Sequence, residues 1–297
     1  TEYFLSSDAA EEANGTGLSS DLIVWSLTNT QSLNSATPAL SLNNIVLKVN
    51  PYATPPKADQ KPGPFPLGQC LDDTTMTTPA GQGCWRYFVA SGGPFKEVES
   101  SLDSNDTRMQ QVTFANGKLW GALDTALTIN GVNKAGIEWF IVQPSVDHGL
   151  HARLALQGYL GLADNNLTYP AIGVNESGRG VMAFTVVGAD HYPSPGYAAI
   201  DAKVGAGDVH LIVEGAGPAD GFTGYTAFVG TPPRARWGDY GAAVPDGSHT
   251  MWIASEYIGP GNGTACTLSE YVSTNFSCNN TRTSLGNWST RITKLTL

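Results

Sequence analysis

Charge is scarce in this chain, and basic charge scarcest. Sixteen Lys and Arg face 26 Asp and Glu, and charged residues make up 14% of the 297, against roughly 25% in an average soluble domain. The net charge is -10, and no Lys/Arg cluster offers the positive face that grips phosphates. Nucleic acid and anionic membranes are therefore not expected partners. No run of 18 apolar residues exists, so no membrane-spanning helix is expected. Stretches free of Gly, Pro and Asn are short, and none keeps a 3.6-residue apolar period, so helix is nearly excluded. The G-x-S-x-G elbow, the P-loop and a G-x-G-x-x-G in a βαβ setting are missing. This disfavours serine hydrolases, NTPases and Rossmann enzymes.

What is present is turn chemistry and apolar surface: 34 Gly, 18 Pro and 41% hydrophobic residues. That excludes a disordered chain. The four cysteines fall into two local pairs, Cys70 with Cys84 and Cys266 with Cys278, neither at metal-site spacing. Four cysteines allow three pairings. The local one is expected, as two disulfides. Eight N-x-S/T sequons start at Asn14, Asn105, Asn166, Asn175, Asn262, Asn275, Asn279 and Asn287, where chance gives roughly three of this pattern. Asn105 and Asn287 are followed by Asp and Trp, which leaves Asn14, Asn166, Asn175, Asn262, Asn275 and Asn279 as expected glycosylation sites. Disulfides and sequons together point to a secreted, extracellular glycoprotein. A bacterial chain merely rich in Asn and Thr is the plainer alternative.

Short β-branched and aromatic runs separated by NG, SG, DG and PP recur along the chain, the pattern of an all-β protein. They group in fours: MQQVTF, KLWGALD, GIEWFIV, ARLALQGYL; then YPAIGV, VMAFTVVGAD, YAAIDAKV, DVHLIVE; then YGAAV, TMWIASEY and the C-terminal WSTRITKLTL. Second strands end in Asp124, Asp190 and Glu256, each 66 residues after the last. Repeated four-stranded sheets predict a β-propeller with about four blades in this chain, 1–297 being a single propeller domain or the C-terminal part of a larger ring, with a β-sandwich as the alternative. TEYFLSSD reads as a second strand, so the first blade lacks its first strand and the last lacks its fourth. Thr1 is then a mature or processed N-terminus, and an N-terminal propeller fragment of the same precursor is an expected partner. Residues 51–101, rich in Pro, read as an insertion stapled by Cys70 and Cys84.

DSNDTRMQQVTFANGKLWGALD, YPAIGV, RWGDYGAAV with WIASEY, and NWSTRI together resemble a group of secreted β-propeller proteins of bacteria and fungi, and more distantly sialidase-like propellers. The resemblance spans most of the chain outside 51–101 and implies the propeller fold. The Asp-box S-x-D-x-G-x-x-W of sialidases is absent, and SLGNWST is not one.

In a propeller, the loops entering first strands and the ends of second strands share one face of the disc. Asp124, Asp190 and Glu256 are thus candidate catalytic acids. Arg108, Tyr169, His191, Arg236, Trp237, Asp239, Tyr240, Tyr257 and Arg291 are candidate substrate contacts. Two carboxylates can run glycoside hydrolysis, aromatics can stack on sugar rings, and arginines can grip a carboxylate. A glycan or other small extracellular ligand is the expected partner. The competing reading makes the acids turn locks, the arginines local ion pairs, Trp237 and Trp288 packing, and the protein a non-catalytic binding or structural propeller. Oxygen ligands for Ca²⁺ are available in DSND (103–106), without full EF-hand spacing. His148 and His151 read as loop residues, and no cofactor is expected.

Overall fold

The computed structural model describes residues 1–13, 15–64, 66–88, 91–94, 101–220, 234–261, 266–282 and 286–297. The protein is all-β. Four antiparallel sheets stack face to face in a propeller-like arrangement. Sheet 1 holds β1 (Glu2–Ser7), β2 (Leu18–Thr28) and β3 (Ser41–Ala53). Sheet 2 holds β4 (Val112–Ala115), β5 (Lys118–Ile129), β6 (Val132–Ser145) and β7 (His151–Leu160). Sheet 3 holds β8 (Asn165–Val174), β9 (Arg179–Gly188), β10 (Ser194–Asp201) and β11 (Gly205–Leu211). Sheet 4 holds β12 (Ala242–Pro245), β13 (Thr250–Tyr257) and β14 (Ser289–Thr296). Within each sheet the strands pair in chain order.

Hairpin chemistry explains the tight connections. Asn116–Gly117 and Asn130–Gly131 all have positive φ (50°, 66°, 52° and 81°). That is what a two-residue hairpin turn matched to strand twist requires, and Asn-Gly supplies it at little cost. Alternation then decides which side chains meet. Trp120, Ala122, Ile137, Trp139 and Ile141 of sheet 2 pack on Ile172, Met182, Phe184 and Ile200 of sheet 3. From the other face of sheet 2, Leu119, Leu123, Phe140 and Val142 pack on Leu5, Leu22 and Val24 of sheet 1. Val181 and Ala183 of sheet 3 pack on Met251 and Ile253 of sheet 4. Sheets 2 and 3 are therefore buried on both faces, and β8 is buried along its whole length. Each large side chain so removed from water contributes roughly 1.5–3 kcal/mol.

The two local disulfides are present: Cys70–Cys84 (Cα–Cα 5.0 Å) and Cys266–Cys278 (5.9 Å). They share one cluster with Leu67 and Tyr271, joining α1 (Pro66–Asp72) to α2 (Leu268–Ser273). α2 opens on a capping box between Thr267 and Glu270. Asp220 and Arg282, both fully buried, pair at 2.9 Å beside this cluster. The insertion starts later than the sequence pattern implies, because β3 runs on to Ala53. Residues 57–62 then form a strap across the ends of sheets 2 and 3. Lys57 pairs with Asp103 (2.9 Å) and Asp59 with Lys134 (2.9 Å). Asp59 also accepts from Asn166 Nδ2 (2.8 Å). Gln60 accepts the Ala219 N–H (2.8 Å), and Lys61 donates to the Asp190 carbonyl (3.0 Å).

Candidate functional site

The three expected acids have three different fates. Asp124, on β5, is fully buried. Its Oδ1 accepts the backbone N–H of Tyr169 from sheet 3 (2.8 Å), and its Oδ2 accepts Asn105 Nδ2 (3.1 Å) from the segment leading into β4. Burial holds its carboxyl well above the usual carboxylate range, against the pull of those two donors. Asp124 is a clasp between adjacent sheets, with no access to a ligand. Asp190 is exposed and lies beyond the end of β9. Asn165 holds it from both sides: Asn165 Nδ2 donates to Oδ2 (3.0 Å), and Asn165 Oδ1 accepts the Asp190 N–H (3.2 Å).

The 66-residue spacing misassigns Asp190. On β5, Trp120, Ala122 and Asp124 point at sheet 3; on β9, Val181, Ala183 and Thr185 point the same way, at sheet 4. The structural counterpart of Asp124 on sheet 3 is therefore Thr185, whose Oγ1 accepts Trp237 Nε1 (3.2 Å). Loops of unequal length had averaged to an even spacing.

Glu256 is the acid that meets open space. Trp252, Ala254 and Glu256 of β13 repeat the alternation of Trp120, Ala122 and Asp124, but on the far side of sheet 4. A cleft of about 320 Å³ opens there, lined by Arg236, Trp237, Gly238, Asp239, Tyr240, Glu256, Trp288 and Thr290 among others. Glu256 Oε2 accepts the Gly238 N–H (2.7 Å). Burial pushes its pKa up to about 7; the Gly238 hydrogen bond opposes this and the Asp239 charge adds to it. Gly238 has φ +75°, and a Cβ there would come within 2.5 Å of the Tyr169 ring. Only glycine fits between that ring and Glu256.

The expected binding residues divide accordingly. Arg236, Asp239 and Tyr240 line the cleft, with Arg236 pairing to Asp239 at 2.8 Å and Tyr240 84% exposed. Trp237 forms part of the wall but is buried, so packing is its main role. Tyr169 is buried, its backbone N–H committed to Asp124. Tyr257 is buried and does not line the cleft. Arg108 is paired to Asp106, away from Glu256. His191 Nδ1 lies 2.7 Å from Glu214, which also meets Lys61. Arg291 is exposed on β14 and does not line the cleft. The three-arginine grip is not assembled; Arg236 alone reaches the site. Trp288, read from the sequence as packing, is half exposed and forms a cleft wall. Its place just ahead of β14, level with the end of β13, was the available signal.

The oxygen ligands in 103–106 are otherwise engaged. Asp103 pairs with Lys57 and Asp106 with Arg108, and no cluster suited to a metal ion occurs among the described residues. Two expected glycosylation sites are corrected. Asn166 is buried, its amide shared among Asp59, Val187 and Ala135. Asn175 is buried, bonded to Ser248, Ser177 and Arg179. Neither leaves room for a glycan. Asn275 and Asn279 are exposed, while Asn14 and Asn262 lie outside the described residues. No protein-family model matches the chain, and no curated protein sequence does.

Proposed function

We propose that the protein is a secreted carbohydrate-binding propeller, akin to the bacterial and fungal propellers its sequence resembles, and that its ligand sits over Glu256. The observation that carries this reading is the contrast between two equivalent carboxyls. Asp124 is sealed between sheets, while Glu256 lines an open cleft walled by Tyr240 and Trp288 beside the Arg236–Asp239 pair. Aromatic faces with a few placed polar groups are the composition expected of a sugar site. A carboxyl that is half protonated near neutral pH both donates to and accepts from hydroxyl groups.

A second reading, glycoside hydrolysis, is favoured by one feature. A carboxyl raised to about 7 suits a general acid, and Asp239 supplies a second carboxylate in the same cleft. Asp124 and Asp190 have no part in it.

The test is a glycan array followed by calorimetry on the hits, with a glycosidase substrate panel alongside. Binding without turnover, lost in Trp288→Ala and Tyr240→Ala, supports the binding reading. Turnover abolished in Glu256→Gln, with binding retained, supports the hydrolase. Absence of any glycan ligand overturns both.

A further inference from the structure

The outer face of sheet 4 has the make-up of an interior. On β5, Trp120, Ala122 and Asp124 are all but inaccessible beneath sheet 3. On β13 the same alternation, Trp252, Ala254 and Glu256, has no further sheet over it among the described residues: the 236–240 segment and Trp288 wall only the Glu256 end, and Trp252 is 41% exposed. The register extends the patch sideways: Trp252 pairs with Val244 on one side and Lys294 on the other, and Ala254 with Ala242 and Ile292. Val244 and Ile292 are 53% and 66% exposed.

At the other end of the stack, sheet 1 bares a second such face. Phe4 lies opposite Trp25; Ile23 lies between Ser6 and Val46, and Leu27 between Glu2 and Leu42. These residues point away from Leu5, Leu22 and Val24, which face sheet 2. Phe4, Leu42 and Val46 are all at least half exposed. Exposed apolar side chains gathered on one face, rimmed by polar ones, mark interaction sites.

Every internal junction puts the later face of one sheet on the earlier face of the next. The two bare faces are the two halves of that junction, and one chain carries both. We propose that a second copy of this chain covers them: sheet 4 of each copy stacks on sheet 1 of the other, giving a two-fold, head-to-tail dimer. A head-to-tail contact either closes or grows into a filament. Two copies bring eight sheets, inside the roughly four to eight that propeller rings use, so this one closes.

Charge agrees with the arrangement. Where sheet 3 meets sheet 4, its third strand β10 lies against the next sheet's second strand β13. The same geometry sets Lys294, on the third strand of sheet 4, against Glu2 on β1 of the partner. Among the described residues sheet 1 has no strand ahead of β1, so in the proposed dimer none of them falls where Tyr169 falls on Asp124, and the Glu256 cleft stays open.

Sedimentation at micromolar concentration tests this directly. The expected mass is twice the 31.3 kDa of one chain. Val46→Glu and Ile292→Glu, each altering an exposed side chain, should separately raise the dimer dissociation constant at least tenfold while the far-UV circular dichroism of the folded chain is retained. Glu2→Lys and Lys294→Glu should each weaken the dimer, and the double exchange should restore it. A monomer at all concentrations, a mass that keeps rising with concentration, or a dimer indifferent to both Val46→Glu and Ile292→Glu overturns the proposal. None of these outcomes bears on glycan binding, which is read separately.

Discussion

Glu138 is buried at a cost. It sits on β6 between Leu123 and Tyr159, fully buried, and neither carboxyl oxygen has a hydrogen-bond partner. Burial pushes its pKa up to about 8, against about 4.3 for a solvated Glu. The raised value fixes the sign of the linkage. As pH rises between those values the unfolded chain releases its proton while the folded one keeps it, so stability falls across that window and is level outside it. Glu138→Met, similar in length and apolar, should remove this slope and stabilise the protein by about 2–4 kcal/mol at pH 9. Denaturant titrations at pH 4, 7 and 9 check it. Asp124 behaves otherwise, because its partners need it. Asp124→Ala should cost about 2–3 kcal/mol by stranding the Tyr169 N–H and the Asn105 amide, and leave ligand affinity at Glu256 unchanged in calorimetry. Gly238→Ala should do the reverse at the site, abolishing binding through its clash with the Tyr169 ring.

Strands and turns were the most legible level. Asn-Gly pairs and period-two alternation mark hairpins through local chemistry alone, and both cysteine pairs lie close enough in sequence for proximity to indicate the partner. The acids were legible only as a set. Reading Asp124, Asp190 and Glu256 as the ends of second strands says nothing about which strand continues, which stops short, or which is covered. Asp190 was misaligned because β9 ends at Gly188 and its register counterpart is a threonine. Sequons misled for a related reason: the Asn that suits a glycan also suits a buried clasp, and Asn166 and Asn175 are clasps. Among the elements, α1 and α2 depend most on covalent support, since each is short and they share a small core. Reducing or replacing Cys70–Cys84, which closes a loop with sequence separation 14, should cost about 3 kcal/mol. Hydrogen exchange should localise the loss to α1 and α2, with sheets 2 and 3 still protected.

At the scale of the whole molecule, the stacking order followed from the repeat, but the uncovered ends did not, because exposure belongs to neighbours and no single strand encodes it. If the chain passes through a eukaryotic secretory route, its mass before and after deglycosylation should differ by glycans at Asn275 and Asn279, or at Asn14 and Asn262, and never at Asn166 or Asn175. Peptide mapping checks the sites. The strap at 57–62 carries a further consequence, one of timing. Its hydrogen bonds join Gln60 to Ala219, 159 residues away, and Asp59 to Asn166, 107 away. Synthesis delivers the strap long before the sheets it crosses exist. It must wait, unpaired, until sheet 3 has formed, and only then settle across the finished edges. Contacts of such sequence separation form late and slowly. The strap therefore cannot close before sheet 3 has formed, and until then it should be open to a protease during refolding.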